Sequence, residues 1–426
     1  MGRIFFTGAN LLDGARAAVA GTTVVVDGQH ISFVGPDTDA PGVDAADTVV
    51  TLDGATLMPG MVSGHFHTTY HDVGAVPAPF GLEHPPAFQA YRALVNVQTA
   101  LSWGYTAVVG ASAAFDVDAS LRAAIEQGLV EGPRLVPASR DLITRGDSND
   151  TLPWWYEASA QGVVRVCDGP EEFRRATRDE IARGAHIVKV YVTGGHGVTL
   201  PKNTVSLEPD ELAAVMRAAH GRGRRVRAHV ATRDAILMCV DLGVDVIDHA
   251  DGMDDACIAA MVDAGSVVVP SLLLPLTMLE LMGNADTYGF LSETAADVAQ
   301  MCEILPAADA AGVCIAVGDD YGASVLPHGA YSKELAAYVE HVGVDPLTVL
   351  RWATVNGAAL FGRPDDLGRV EVGRLADLVV VDGDPSADIS VLTERRNLRH
   401  VVKDGRFVSD SGVPTPTSAT GAGRAT

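Results

Sequence analysis

An α/β fold, with eight parallel strands closed into a barrel and a small β-sandwich built from both chain ends, follows from three features of this 426-residue sequence. Between about residues 60 and 360, short runs rich in Val and Ile alternate with segments of helical period, as expected of parallel strands joined by crossover helices. Eight such runs occur, the number that closes a (β/α)8 TIM barrel. The flanks show short alternating strands broken by Asp-Gly turns, a pattern of hairpins.

Residues 1–58, with "IFFTGANLLDG", "TTVVVDGQHISFVG" and "DTVVTLDGATLMPG", form the N-terminal part of the sandwich. The barrel spans 59–361. Its strands are "MPGMVSGHFH", "YTAVVGA", "PRLVPAS", "HIVKVYVT", "RRVRAHVA", "VDVIDHA", "SVVVPSL" and "VCIAVGDD". Among the intervening helices, "SLEPDELAAVMRAAHGRG" sets Leu212, Val215, Met216 and Ala219 on one face, leads with acids and stops at Gly221. "TRDAILMCVDLG" and "MDDACIAAMVDAG" repeat the plan and also end in Gly. Residues 362–410 return to short strands and complete the sandwich. Residues 411–426, "SGVPTPTSATGAGRAT", lack apolar periodicity and are expected to be a disordered tail.

Composition narrows the function. Hydrophobic residues at 47% and charged residues at 20% indicate a globular protein, and no apolar run is long enough for a membrane span. A formal charge of -23 disfavours nucleic acid and anionic membrane as partners. No export signal is legible at the start, so a cytoplasmic location is expected. Cys167, Cys239, Cys257, Cys302 and Cys314 are odd in number and widely spaced, which fits buried free thiols.

Chemistry-bearing residues gather at the C-terminal ends of the strands, the end at which such barrels place their sites. His65 and His67, spaced i, i+2 on the first strand, point to the same face. Lys189 sits inside the apolar run "HIVKVYVTGG", where desolvation of an ammonium is costly and the neutral, nucleophilic amine is favoured. Such an amine adds carbon dioxide to give a carbamate able to bridge two cations; the alternative is a buried ion pair with a barrel carboxylate. His229, His249 and the pair Asp319-Asp320 close strands five, six and eight.

With "GHFH", "KVYVTGG", "RAHVAT", "IDHADG" and "VGDDYG" spread over the whole barrel, the sequence resembles the amidohydrolase superfamily. The nearest group is its imidazolonepropionase-related branch, with prolidase-like and ochratoxinase-like metal-dependent hydrolases. The resemblance implies that His65 and His67 ligate a buried metal, that Lys189 is the carboxylated bridge, and that His229 and His249 ligate a second, more exposed metal. Asp320 completes the set, aligning with the acid of the family's Gly-Thr-Asp, where this chain reads Gly318-Asp319-Asp320. Two positions depart from prolidase-like relatives. Ala231 stands where they carry a tyrosine after the fifth-strand histidine, and "RDLITRGDSNDTLPWWYE" lacks their Gly-Gly-His stretch.

The reading that follows is a binuclear hydrolase cleaving an amide-type C–N bond in an N-acyl amino acid, dipeptide or similar small molecule. A hydroxide bridging two divalent ions, most simply Zn2+, is the expected nucleophile, with Asp320 as general base and then acid. Tyr191 or His196 is expected to polarise the carbonyl. Arg140, Arg145 and Arg233 are candidates for a substrate carboxylate, Trp154, Trp155 and Tyr156 for an aromatic group, and Tyr321 and His328 for further contacts. His71 and His84 are undecided between loop and site. Carbamate or phenylurea hydrolysis is the alternative. A deaminase is disfavoured by Thr232 at the position of an expected Glu, and a non-catalytic scaffold by the filled ligand positions. The sequence leaves homo-oligomerisation open.

Overall fold

The computed structural model describes residues 2–73, 81–150, 162–195, 200–282 and 291–409. His196, Trp154, Trp155, Tyr156 and the expected tail at 411–426 lie outside the described residues.

The N-terminal segment contributes β1 (Ile4–Leu11), β2 (Val19–Asp27), β3 (His30–Pro36), β4 (Thr48–Thr51) and β5 (Thr56–Pro59). Next come β6 (Met61–Phe66), helix α1 (Pro86–Ser102), β7 (Tyr105–Gly110), α2 (Val117–Glu126) and β8 (Arg134–Val136). After Pro137 the chain resumes as β9 (Ala138–Thr144), β10 (Val164–Cys167), α3 (Gly169–Ala182), β11 (Ile187–Tyr191), α4 (Pro209–His220) and β12 (Arg225–Val230). Then follow α5 (Arg233–Asp241), β13 (Val246–His249), α6 (Asp255–Ala264), β14 (Val267–Val269), α7 (Leu273–Met282), α8 (Leu291–Ala311) and β15 (Cys314–Ile315). Three short helices, α9 (Tyr331–Ala337), α10 (Pro346–Arg351) and α11 (Gly357–Phe361), lead back to β16 (Leu378–Val381), β17 (Leu398–Lys403) and β18 (Arg406–Phe407).

These strands make an α/β fold with parallel sheets. β6, β7 and β8 pair in parallel, as do the seven strands ordered β10-β9-β11-β12-β13-β14-β15. All eight expected barrel strands are present. β9 runs on to Thr144, so the first part of the expected substrate loop is strand, and β10 adds an edge that the sequence reading did not contain. The two chain ends build one mixed eight-stranded sheet, order β18-β17-β16-β5-β1-β2-β3 with β4 on β1. Its apolar face buries Phe6, Val24, Val26, Leu57, Leu378 and Val380. The β17–β18 hairpin turns on Asp404-Gly405, both at positive φ (52° and 68°), as a two-residue Asp-Gly loop requires.

The helices follow their apolar stripes. In α4, Leu212, Val215, Met216 and Ala219 are buried, a reciprocal Glu208–Glu211 capping box starts the helix, and Gly221 caps its end. α6 ends on Gly265 in the left-handed conformation. The five cysteines are free, three of them buried. Among the described residues no helix is long and apolar enough to cross a membrane.

Candidate metal centre

Parallel register sets out the interior. Asp141 on β9, Lys189 on β11 and Arg227 on β12 are neighbours, and one layer further on Tyr191, His229 and Asp248 align in the same way. Neighbours in register share a face, so one inward row carries an acid, an amine and a guanidinium, and the next carries a phenol, an imidazole and an acid.

Asp248 is the hub. Fully buried, it takes Arg227 Nε on Oδ2 at 3.0 Å and Arg227 Nη2 on Oδ1 at 2.5 Å. Lys189 Nζ donates to Oδ2 at 2.6 Å, and His65 Nδ1 lies 3.1 Å from Oδ1. Burial opposes the charged form of Asp248, but Arg227, Lys189 and His65 outweigh it and hold the carboxyl well below the usual carboxylate range. Arg227 Nη1 also donates to Gly64 O at 3.1 Å and Gly110 O at 2.7 Å, tying β12 to β6 and β7. In its unmodified form Lys189 thus makes the buried ion pair weighed above as the alternative to a carbamate.

On this base, His65 and His67 bring their Nε2 atoms to 3.1 Å of each other. Asp320 Oδ1 lies 2.9 Å from the first and 3.0 Å from the second. His67 Nδ1 is 3.1 Å from both Ser112 O, which can only accept, and Ser112 Oγ, which can do either; a proton on Nδ1 satisfies the carbonyl and gives Nε2 a lone pair. His65 Nδ1 lies 3.1 Å from Asp248 Oδ1, an acceptor, and 3.0 Å from Arg227 Nη2, a donor, so both of its tautomers find a partner there. Tyr70 stacks on His67 with ring centroids 3.7 Å apart and planes 2° from parallel, which fixes the ring. Burial lowers the His67 pKa to about 4 against the pull of Asp320. For Asp320, burial is outweighed by His65, His67 and His249, which keep it ionised. His65, His67 and Asp320 each bring one ligand atom within 4.8 Å of the others, and imidazole nitrogen with carboxylate oxygen suits a divalent metal.

His229 and His249 stand beside this trio. The His249 ring is 5.4 Å from His65 and 4.5 Å from His229, centroid to centroid. Asp248 and His249 are consecutive, and strand alternation would send them to opposite faces. Positive φ at His249 (68°) and Ala250 (59°) breaks the alternation and brings both side chains inward. His229 Nε2 bonds Gly194 O at 3.1 Å, while its buried Nδ1 has no hydrogen-bond partner, a second lone pair suited to a cation. Burial lowers His249 to about 4 and pushes His229 well below the usual imidazole range. Tyr191 stacks on His229 at 4.3 Å and 10°, with Lys189 Nζ 5.5 Å from its ring centre.

The two adjacent acids have separate places. Asp319 Oδ2 accepts the N–H groups of Leu273 (2.7 Å) and Leu274 (3.1 Å) at the start of α7, and its Oδ1 accepts that of Asp320 (2.7 Å). Burial and the neighbouring Glu334 raise its pKa. It holds backbone, and Asp320 faces the histidines.

Four of the expected substrate contacts are engaged elsewhere. Arg140 faces away from Asp141, out of the inward row, and is buried against Glu180 of α3, with Nε at 3.1 Å from Oε1. Tyr321 is buried and donates to Glu334 Oε2 at 2.7 Å. Arg145 is largely exposed beside Asp150, and Arg233 pairs with Asp254 at 2.6 Å and Asp234 at 2.7 Å at the start of α5. None of these guanidinium groups is presented to the histidine cluster. His328 lies behind the site, with Nδ1 3.0 Å from the Tyr331 hydroxyl and its ring 5.1 Å from Phe66. His71 pairs with Asp72 at 3.5 Å, and His84 packs on Phe88.

Asp248, Arg227, Tyr70, Ser112 and Asp141 were not expected at the site. Arg227 precedes His229 by two residues on one strand, so alternation alone places it inward. Asp141 is fully buried; burial pushes its carboxyl up to about 7 against the opposing pull of Lys189 and Ser112.

Residues 56–408 match the amidohydrolase family. The chain is 26% identical to an ochratoxinase of Aspergillus niger over 95% of this chain and 86% of that protein. It is 24% identical to an imidazolonepropionase of Cutibacterium acnes over 92% and 91% of the respective chains. Among solved structures, a prolidase complexed with N-methylphosphonate-L-proline superposes with a TM-score of 0.83 at 30% identity, covering 95% of this chain and 99% of that one. The A. niger ochratoxinase superposes with a TM-score of 0.84 at 25% identity, covering 95% of each chain. With the match running from β5 to the end of β18, the chain belongs to the amidohydrolase family of metal-dependent hydrolases acting on C–N bonds.

Proposed function

We propose that this chain is a binuclear hydrolase of a small amide, such as an N-acyl amino acid or dipeptide. The observation that carries the reading is the meeting of His65 Nε2, His67 Nε2 and Asp320 Oδ1, each within 3.1 Å of the other two. They would hold one divalent cation; Lys189, His229 and His249 would hold the second, with zinc the simplest choice for such ligands. Support for Lys189 as a carbamate comes from the charge count around Asp248. Arg227 alone balances that carboxylate bidentately, so Lys189 can become an anion without stranding its partner.

Bound divalent cations supply Lewis acidity toward the carbonyl and lower the pKa of water. Asp320 is the proton carrier: its side chain is partly exposed at the cluster's rim, where it can take a proton from the attacking water and hand it to the leaving nitrogen. Tyr191, held flat on His229, or His196 would donate a hydrogen bond to the substrate carbonyl. Asp248 and Arg227 orient His65, and Ser112 and Tyr70 orient His67.

The same reading takes the two parallel sheets as arcs of one closed (β/α)8 barrel. Bonds from Gly64 N–H to Val317 O (2.6 Å) and from His186 N–H to Pro137 O (2.8 Å) support closure at the two seams. The mixed sheet of the chain ends is then the sandwich domain, with borders near residues 58 and 361.

Elemental analysis of protein grown with zinc and bicarbonate tests the centre, and a panel of N-acyl amino acids, dipeptides, carbamates and aryl ureas tests the reaction. About two ions per chain and metal-dependent amide cleavage are expected. One ion per chain, or turnover of carbamates and ureas without amides, would overturn the proposal.

A further inference from the structure

The expected carboxylate-binding arginines are occupied elsewhere, and among the described residues no ion pair reaches Asp141 or Asp147. Asp141 is fully buried in the inward row beside Lys189, yet its Oδ1 has no hydrogen-bond partner. Among the described residues its Oδ2 has a weak donor in Asn149 Nδ2 at 3.3 Å, and the Ser112 hydroxyl also favours its charged form. Lys189, the one ammonium in its row, is committed to Asp248 at 2.6 Å. Asp147, also buried, accepts the Ser206 hydroxyl on Oδ2 at 2.5 Å and has an unpartnered Oδ1 of its own. Asn149 bonds Asp141, and Ser206, which bonds Asp147, donates its N–H to Val192 O just after β11 at 2.9 Å, so both acids lie on the β9–β11 side of the cluster. Two buried acceptor oxygens without donors are unfavourable in a finished fold, and a ligand that donates hydrogen bonds and positive charge would satisfy both.

We propose that Asp141 and Asp147 form a subsite for a protonated nitrogen, so that the preferred substrate carries an ammonium group near the scissile amide. An aminoacyl compound with a free α-ammonium has this chemistry; its N-acylated counterpart does not. The inference rests on the amide-hydrolase reading for its substrate but not for the subsite, since an ammonium ion needs no turnover to bind. It also reverses the expectation of an arginine-bound substrate carboxylate.

Two measurements on the metal-loaded protein test it. Calorimetric titration with benzylammonium, benzoate and benzyl alcohol reads the subsite directly, and kcat/KM for an aminoacyl anilide against its N-acetyl derivative reads its use in catalysis. The parent should bind benzylammonium in preference to the other two and should favour the free-amine anilide about tenfold or more, the scale of one charge-assisted contact. In Asp141→Asn and in Asp147→Asn, benzylammonium affinity and the free-amine to N-acetyl ratio should each fall about tenfold, with metal content unchanged. Two variants are used so that poor folding of one leaves the other to decide. Preference for benzoate, equal use of both anilides, or loss of metal from Asp141→Asn would overturn the subsite, the last by making Asp141 a ligand. Asp-dependent benzylammonium binding without cleavage of either anilide would keep the subsite and overturn the amide reading instead.

Discussion

Gly318→Ala is expected to damage the centre without touching a single ligand. Gly318 has φ of +152°, and a Cβ built there would meet His65 N at 2.2 Å and its Cα and Cβ at 2.9 Å. Ordinary contact begins near 3.4 Å, so the strand segment and β6 must separate by about 1.2 Å (3.4 − 2.2). That separation pulls on the 2.6 Å bond from Gly64 N–H to Val317 O and carries His65 with it. Backbone strain of about 1–3 kcal/mol and one weakened hydrogen bond of about 1 kcal/mol leave most of a typical stability of about 5–15 kcal/mol. The fold should survive, but a ligand misplaced by about 1 Å costs about 100-fold in rate. Circular dichroism, elemental analysis and kcat/KM would be compared with Gly343→Ala, at φ of +76° with nothing within 4 Å of its Cβ, which has the strain and lacks the clash. Full metal content and turnover within about twofold of the Gly343 control would show that the approach of the two strands does not position His65.

Asp320→Asn should keep the fold and reduce turnover by about 10²–10⁴-fold, whereas Asp319→Asn should mainly lower stability, by about 2–3 kcal/mol, through its lost backbone acceptor sites. Denaturant melts and kinetics on the pair check the assignment, and a reversed pattern would exchange their roles. Lys189→Ala should be nearly inactive, with activity and bound metal partly restored by acetate or propionate; full activity without additive would make Lys189 a purely structural ion pair. Asp118, bound by the Thr68 hydroxyl and Ala138 N–H, is raised by burial from 3.8 to about 6. Between those values the folded state binds the extra proton, so stability falls as pH rises through the window, by on the order of 3 kcal/mol. Asp118→Asn should remove that slope, seen as a parent-minus-variant melting difference between pH 4 and 7; an unchanged difference would refute the burial effect.

The parts of the site that the sequence made legible were those where strand period and residue chemistry coincide. His65 and His67 share a face because they are two apart, and the eight Val- and Ile-rich runs all became strands. What escaped depends on direction beyond a strand. Arg140 and Asp141 are adjacent, and only the register with Lys189 decides that the acid faces inward and the arginine outward. Tyr321 follows Asp320 directly but turns into the core toward Glu334. Asp248 and His249 both reach the centre through a left-handed turn that no β-period anticipates. The order of the acids at 319 and 320 was readable from resemblance, but the role of Asp319 was not, because its partners are the backbone of α7, some 45 residues earlier.

Arg227 is fully buried and ends on two carbonyls from strands far away in sequence, those of Gly64 and Gly110, as well as on Asp248. Its bonds are complete before any ion arrives. Small domains whose ligands gather only around the metal unfold when a chelator removes it. Here the floor under the histidines is fastened by protein groups, so its folding should depend less on the ion. The supply of metal would then govern when the enzyme switches on rather than whether it survives.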